Sequence, residues 1–286
     1  MKTIKYFFEF IIIKFFFFIF KIFGYKISST IGEFIGKSLG PIFRSNNKIL
    51  NNLEKSNVGS SNHERNKMIS NMWGNYGRIL SEYIFLNKFK NGELNDHIKI
   101  NGLNNLDKII KEKKPVVFIS GHFNNFELMA MEIEKNGVDL AAIYRPLNNI
   151  FLNPMMESIR KKYICKRQIK KGIGGTKEIL KLFKKGVSIA LMIDQRVSEG
   201  KRIKFFNQEA YTTTIPAQLI KKFGCDVVPV YVERIKKYHF KIKFFDPISF
   251  DKNKDIMQVT LELNKILEKM ILKSSDQWIW THNRWK

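Results

Sequence analysis

Cysteine is almost absent from this chain: Cys165 and Cys225 are the only two in 286 residues, and they lie far apart, outside any CxxC spacing. Neither a disulfide framework nor a cysteine-based metal site is therefore expected, and the main domain is predicted to face a reducing compartment. Four histidines are scattered without metal-ligand spacing: His63, His97, His239 and His282. We expect no metal ion and no resident cofactor.

Acidic residues are also few, since 26 Asp and Glu face 50 Lys and Arg and leave a formal net charge of +24. Such a surplus attracts anionic partners, whether nucleic acid, anionic lipid headgroups, phosphorylated glycolipids or an acidic carrier protein. Composition alone does not choose among them. No recognition-helix, zinc or aromatic–basic signature accompanies the charge, so no nucleic-acid partner is expected.

The positive charge is densest between residues 160 and 185, where Glu178 is the only acidic residue. This stretch has two interpretations: a solvated charged face, or a surface for anionic headgroups or an acidic carrier protein. Near a membrane, each basic residue of such a segment gains about 1 kcal/mol from anionic lipid. The basic residues are Arg160, Lys161, Lys162, Lys166, Arg167, Lys170, Lys171, Lys177, Lys181, Lys184 and Lys185.

Two common catalytic loops are missing as well. The run GVSIA at 186–190 lacks the second glycine of a nucleophile elbow and begins a predicted strand, so no acyl-enzyme on a serine is expected. The run GIGGTK at 172–177 lacks the spacing of a phosphate-binding loop, and no predicted strand precedes it.

One long apolar run is present, from Ile4 to Phe23, and Phe and Ile dominate it. Its length suffices to cross the hydrocarbon layer as a helix, which takes about 20 residues. The central Lys14 costs about 3 kcal/mol on insertion scales, although a lysine can reach the interface with its charged end. No small-residue cleavage pattern follows, which disfavours a signal peptide. We predict a membrane anchor helix at 1–25, spanning the bilayer or lying in its interface; a signal peptide and a buried helix are the alternatives.

Beyond residue 65, apolar runs alternate with amphipathic stretches, and no repeat or low-complexity linker follows residue 62. Strands are predicted at 116–119, 140–144, 187–193, 226–233 and 240–245. Helices are predicted at 65–87, 103–112, 126–135, 150–162, 174–184, 212–223 and 253–273. This alternation predicts an α/β fold: a single domain over residues 26–286 with a mostly parallel central sheet flanked by helices, in addition to the N-terminal membrane-associated helix.

The main candidate residues lie between Ile119 and Glu127, in the stretch ISGHFNNFE. A buried strand ends at Ser120, Gly121 permits a tight turn, and His122 emerges at the carboxyl end of the strand, where open α/β sheets place their ligands. Glu127 lies in the first turn of the next helix, and the corner would let its carboxylate reach the imidazole. An imidazole held by a carboxylate suits general-base work, because its unperturbed pKa is about 6.5. A capping histidine beside a surface glutamate would give the same pattern.

This stretch resembles the His-x4-Glu motif of the lysophospholipid acyltransferase superfamily, in the variant typical of the late (lauroyl and myristoyl) acyltransferases of lipid A biosynthesis. A lone motif of this kind occurs by chance, but further blocks resemble the family in the same order. They are IYRPLNN at 143–149, MIDQ at 192–195 with Met-Ile where the family has Pro, AYTTT at 210–214 followed by PA at 216–217, VPV at 228–230, and WIWTHNRWK at 278–286.

The resemblance implies an O-acyltransferase that moves a fatty acyl chain to a hydroxyl of a lipid A precursor or related glycolipid. It implies two catalytic residues, with His122 as the general base and Glu127 as its partner. The candidate substrate-binding residues are Arg145, Asp194, Asn124 and Asn125. A guanidinium such as that of Arg145 suits a phosphate, a carboxylate or a developing oxyanion, and a strand-end salt bridge is its structural alternative. A purely structural carboxylate remains the alternative for Asp194.

The implied partners are acyl carrier protein, an anionic glycolipid acceptor and the bacterial inner membrane, with the catalytic domain on the cytoplasmic side. The acyl donor, acyl carrier protein or coenzyme A thioester, is a co-substrate. In the last block, Trp278, Trp280 and Trp285 are expected to pack the C-terminal segment, with His282 as structural support. Three rival functions remain open: acylation of another lipid such as an ornithine lipid, a lysophospholipid or a phosphatidylinositol mannoside; a membrane-tethered nucleic-acid-binding protein; and an acyltransferase fold serving as a scaffold.

Overall fold

The computed structural model describes residues 2–286. Its strands are β1 (Ile98–Asn101), β2 (Val117–Ser120), β3 (Leu140–Tyr144), β4 (Arg167–Lys170), β5 (Ser188–Met192), β6 (Lys201–Phe205), β7 (Gln208–Thr212), β8 (Val227–Lys236) and β9 (His239–Phe244). Its α-helices are α1 (Lys2–Phe43), α2 (Asn46–Lys55), α3 (Asn62–Glu82), α4 (Leu86–Asn91), α5 (Leu103–Glu112), α6 (Glu127–Lys135), α7 (Leu152–Ile159), α8 (Ile173–Lys184), α9 (Ile215–Phe223) and α10 (Ile256–Lys273).

A seven-stranded sheet in the order β1-β9-β8-β2-β5-β3-β4 organises the chain. Five of its six described pairings are parallel, and only β8 and β9, joined by a two-residue turn, run antiparallel. The central β2 is buried along its whole length, as a strand covered by helices on both faces must be. The predicted α/β fold, a single domain with a mostly parallel sheet flanked by helices, is confirmed.

The elements that sequence reasoning missed lie at the margins of the fold. Strands β1 and β4 form the two edges of the sheet, where lysine and half-exposed side chains replace the apolar run that marks a central strand. The separate hairpin β6–β7 turns at Phe206 and Asn207, both with positive φ, as a two-residue hairpin requires. Because β7 extends to Thr212, helix α9 begins at Ile215 and not at the predicted residue 212.

The N-terminal helix α1 has two unlike halves, separated by non-helical backbone at Gly24. After the break it lies against α3, where a Cβ on Gly32 or Gly36 would overlap backbone atoms of that helix. Before the break, many of its large apolar side chains are exposed: Ile4, Phe7, Phe8, Ile11, Ile12, Phe15, Phe16, Phe18, Ile22 and Phe23.

Among residues 2–286, no helix combines the length and the apolar character that a membrane crossing requires. The membrane anchor at 1–25, whose first residue lies outside the described residues, stays a prediction.

Candidate active site

The carboxyl edge of the sheet brings two candidate residues together across neighbouring strands. Strands β2 and β5 pair in parallel with Ser120 opposite Met192, so the residues two positions beyond each strand end, His122 and Asp194, also face one another. The Nδ1 atom of His122 lies 2.8 Å from Oδ1 of Asp194. The backbone N–H of His122 donates to Oδ2 of the same carboxylate, also at 2.8 Å. Strand register alone therefore creates an imidazole–carboxylate pair.

The carboxylate of Asp194 is buried, with 2% of the residue exposed, and remains ionised because of its donors. Burial by itself raises the pKa of a carboxyl group. In Asp194 this effect is outweighed by the His122 imidazole, by the two hydrogen bonds from His122 and by the Trp278 indole, which together lower its pKa to about 2. An ionised carboxylate only accepts hydrogen bonds, so Nδ1 of His122 carries a proton, and in the neutral ring the lone pair lies on Nε2.

The Nε2 atom of His122 is the part of the pair that can do chemistry. It lies 3.3 Å from Nε2 of Gln195, whose amide can donate to its lone pair. The ring is 19% exposed, and its edge packs against Phe126 with the ring centroids 4.7 Å apart. A buried, charged partner on one nitrogen and an accessible lone pair on the other is the arrangement of a general base.

Glu127 does not hold His122 in the structure, contrary to the expectation from the sequence. Its Oε1 accepts hydrogen bonds from Nε and Nη2 of Arg160, at 3.0 and 2.9 Å, and from the hydroxyl of Tyr83, at 3.0 Å. The hydrogen bonds of the His122 ring go instead to Asp194 and Gln195.

The physical reason for this difference is the guanidinium of Arg160. Its side chain is only 15% exposed and enters this site from a π-helical turn after α7. A cation in that position needs a counter-charge, and Glu127 supplies it, because leaving either charge unpaired would be strongly unfavourable. Burial lowers the pKa of Arg160, but Glu127 and Tyr83 more than offset this and raise it. A sequence separation of 33 residues gave no indication of this ion pair.

Asn124 and Asn125, predicted to bind substrate, are both fully buried and serve the corner that carries His122. Asn124 has a left-handed backbone, with φ 42°, so the positive φ of the turn is at this residue and not at Gly121. Its amide donates to the carbonyl of Val232 at 3.2 Å, and that of Asn125 donates to Oε2 of Glu82 at 3.3 Å. Their role in substrate binding stays a prediction.

Arg145 lies just beyond the end of β3, on the same edge of the sheet, and its side chain is exposed. It belongs to the electrostatic surroundings of His282. Burial lowers the pKa of His282 to about 4; Asp194 opposes this effect, while His122, Arg44 and Arg145 add to it. His282, assigned to structural support from the sequence, therefore lies within electrostatic reach of the candidate pair.

The C-terminal segment packs against the strand end that carries His122 and against Asp194. The backbone of Trp278 forms a β-bridge with Phe123, and the N–H of Asn124 donates to the carbonyl of Gln277 at 3.1 Å. The indole N–H of Trp278 reaches Oδ2 of Asp194 at 2.8 Å. Gln195 and Trp278 are site residues that sequence reasoning did not select. Gln195 lies in the MIDQ block and Trp278 in the WIWTHNRWK block, and this position was the signal that could have identified them.

The described residues contain no group of three or more His, Cys, Asp or Glu side chains placed to hold a metal ion. The ten lysines and arginines of the basic stretch beyond Arg160 are exposed. They form a basic face on the side of the sheet edge β4, within the part of the chain that the structure describes.

Fold and site together define a class: an α/β protein whose imidazole–carboxylate pair stands at the carboxyl edge of a parallel sheet, with one basic nitrogen accessible. Comparison with known proteins gives the family. Residues 1–286 match the bacterial lipid A biosynthesis acyltransferases, so the chain belongs to that family and is an O-acyltransferase of the lipid A late-acylation type.

Similar curated proteins carry consistent names. The chain is 25% identical to a lipid A biosynthesis palmitoleoyltransferase of Escherichia coli over 269 residues, covering 92% of this chain and 86% of that protein. It is 23% identical to a lipid A biosynthesis lauroyltransferase of the same organism, with the same two coverages. A solved structure, the 1-acyl-sn-glycerophosphate acyltransferase PlsC from Thermotoga maritima, aligns with a TM-score of 0.42 and 13% identity, covering 90% of this chain and 100% of that one.

Proposed function

We propose that this acyltransferase moves a fatty acyl chain from acyl carrier protein, or from coenzyme A, to a hydroxyl of a lipid A precursor or related glycolipid. The names of its relatives, which are lipid A palmitoleoyl and lauroyl transferases, support this acceptor. The observation that carries the mechanism is the His122–Asp194 pair, because the carboxylate engages Nδ1 of a partly exposed ring and Nε2 remains for the acceptor hydroxyl.

The reaction then needs only one base. Nε2 of His122 takes the proton of the acceptor hydroxyl while the hydroxyl oxygen attacks the thioester carbonyl. The tetrahedral intermediate collapses, the carbon–sulfur bond breaks, and the leaving thiolate receives the proton from the imidazolium. General-base help of this kind contributes about 10²- to 10⁴-fold, so positioning and oxyanion stabilisation supply the rest.

The two carboxylates of the site have separate roles in this proposal. Asp194 fixes the ring of His122 and stabilises the imidazolium that forms during proton transfer. Glu127 keeps Arg160 and Tyr83 in place beside the same corner, and the acyltransferase depends on it through that ion pair. Arg145, exposed at the same edge, binds anionic groups of the acceptor or the developing oxyanion.

The inner membrane is the proposed location, with the catalytic domain on the cytoplasmic side. The first half of α1 supports it, because a helix that exposes Phe and Ile side chains along its length gains from burial in lipid. That half also contacts the domain close to the basic face: Phe7 packs on Phe151, and Asn149 donates to the carbonyl of Tyr6. The basic face would receive acyl carrier protein or anionic headgroups.

Acyl transfer by purified protein tests the proposal. The acceptor is a lipid A precursor lacking one secondary chain, the donors are acyl carrier protein and coenzyme A thioesters in parallel reactions, and His122→Ala is compared with His282→Ala. His122→Ala should lose transfer to either donor, because it removes the imidazole that Asp194 orients, whereas His282→Ala leaves that pair in place. Unchanged transfer by His122→Ala would refute the mechanism.

Mass spectrometry of lipid A from cells lacking the protein tests the acceptor separately. One missing acyl chain is expected, restored by the unaltered gene and not by His122→Ala. An unchanged acyl pattern would exclude lipid A and direct attention to the other lipid acceptors.

A further inference from the structure

The strongest unassigned feature is the hydrogen bond between a buried indole and the carboxylate of the catalytic pair. The protein has four tryptophans, and each indole N–H has an acceptor. Those of Trp73, Trp280 and Trp285 donate to neutral oxygens of Asn46, Ser275 and Phe205. The indole N–H of Trp278 alone donates to an ionised group, Asp194.

We propose that Trp278 is a positioning residue for acyl transfer: its indole N–H fixes Oδ2 of Asp194 so that Oδ1 is held against Nδ1 of His122. The inference deepens the proposed function and rests on His122 acting as the general base. It assigns Trp278 to the active site, in addition to the packing role expected from the sequence.

The geometry supports this assignment from both sides of the carboxylate. Oδ2 of Asp194 receives two donors at 2.8 Å each, the Trp278 indole and the His122 backbone, while Oδ1 receives the imidazole at 2.8 Å. The two His122 donors come from one residue, so they fix the carboxylate relative to His122 alone. The third donor comes from a different part of the chain and fixes Oδ2 relative to the C-terminal segment as well.

The indole itself is held firmly. Trp278 is 2% exposed, packs edge-to-face on Trp280 with ring centroids 4.6 Å apart, and bridges Phe123 through its backbone. Phe123 follows His122 directly in the chain. Trp278 therefore contacts both the backbone next to His122 and the carboxylate of Asp194. These two contacts fix the position of the Asp194 carboxylate relative to His122.

A matched pair of variants separates positioning from packing. Trp278→Phe and Trp280→Phe each remove one indole N–H and similar volume from adjacent buried rings, but only the first removes a donor to Asp194. Trp278→Phe should lower kcat about 10- to 100-fold, the effect of losing one charge-assisted hydrogen bond, with little change in KM. Trp280→Phe should keep kcat close to that of the unaltered protein at a similar thermal stability. Equal losses of kcat in the two variants would overturn the proposal.

A double-mutant cycle tests whether Trp278 acts through Asp194. In an Asp194→Asn background the indole has no anion to hold, so adding Trp278→Phe should lower kcat little further. Full additivity of the two losses would contradict the inference. If His122→Ala leaves transfer intact, the proposed function fails; if it abolishes transfer while Trp278→Phe behaves as Trp280→Phe does, only this inference fails.

A spectroscopic measurement covers the case in which Trp278→Phe does not fold. The ¹H–¹⁵N spectrum contains four indole signals, and three can be assigned through Phe variants of the other tryptophans. The remaining signal, from Trp278, should move upfield in Asp194→Asn, because a neutral amide is a weaker acceptor than a carboxylate. An unmoved signal would show that the indole does not hold this group.

Discussion

Two buried carboxylates lie on either side of the same strand–turn–helix corner, and their partners make them different. Asp194 faces an imidazole, whose second nitrogen can accept a proton, and the pair can therefore act as a base. Glu127 faces a guanidinium, which stays charged, and the pair can only be a fixed salt bridge. The partner, more than the carboxylate, decides which of the two sites can move a proton.

The largest effect that the comparison predicts is on activity at Asp194. Asp194→Asn keeps the shape of the side chain but removes the charge that fixes the Nδ1 proton of His122 and stabilises the imidazolium. We expect kcat to fall about 10²- to 10⁴-fold, measured by acyl transfer at neutral pH. Near-normal kcat in a folded Asp194→Asn protein would mean that the pair is not the catalytic one.

Glu127→Gln is the corresponding change at the second carboxylate, and its main expected effect is on stability. It leaves the mostly buried Arg160 cation without a counter-charge, which costs about 3 kcal/mol in the free energy of unfolding. Thermal or denaturant unfolding measures that loss, and kcat falls less than in Asp194→Asn. A Glu127→Gln protein of unchanged stability but with kcat as low as that of Asp194→Asn would break the comparison and restore Glu127 as the direct partner of His122.

Arg160→Lys sharpens the comparison from the cation side. A lysine keeps the charge but loses the two N–H groups that both reach Oε1 of Glu127. Retention of charge should limit the loss of unfolding free energy to about 1 kcal/mol, well below that of Glu127→Gln. A loss as large as that of Glu127→Gln would show that hydrogen-bond geometry, and not charge, holds this ion pair.

Much of the fold and part of the site could be predicted from the sequence, because local patterns carry them. The apolar runs that became β2, β3 and β5 gave their positions, and the end of β2 gave the place of His122. The partner of His122 depended on strand order: β2 and β5 are neighbours in space although β3 and β4 lie between them in the chain. Local pattern does not contain that adjacency, so the nearest carboxylate in sequence was chosen over the nearest one in space.

The same limit applies to the two asparagines beside His122 and to Trp278. Asn124 and Asn125 stand beside His122 in sequence, yet the turn directs both side chains into the protein, toward Val232 and Glu82. Trp278 stands 156 positions from His122 but shares the carboxylate of Asp194 with it. In an α/β fold the carboxyl edge collects residues from distant parts of the chain, so closeness in sequence says little about membership of the site.

The smallest expected effect is on the pH dependence of stability, in which His282 and Asp194 should contribute over different pH ranges. Burial lowers the pKa of His282 to about 4, so between about pH 6.5 and 4 the unfolded state binds more protons than the folded state. Stability should therefore fall as pH drops through that window. Asp194, with its pKa lowered to about 2, loses its contribution only below about pH 4.

His282→Asn tests this separation, because asparagine does not titrate. Thermal unfolding of the unaltered protein between pH 7 and 4.5 should show a declining Tm, and the decline should be shallower in His282→Asn. His63→Asn, which changes an exposed histidine at the start of α3, is the matched control and should retain the full slope. Equal slopes in all three proteins would show that burial does not hold His282 neutral in the folded state.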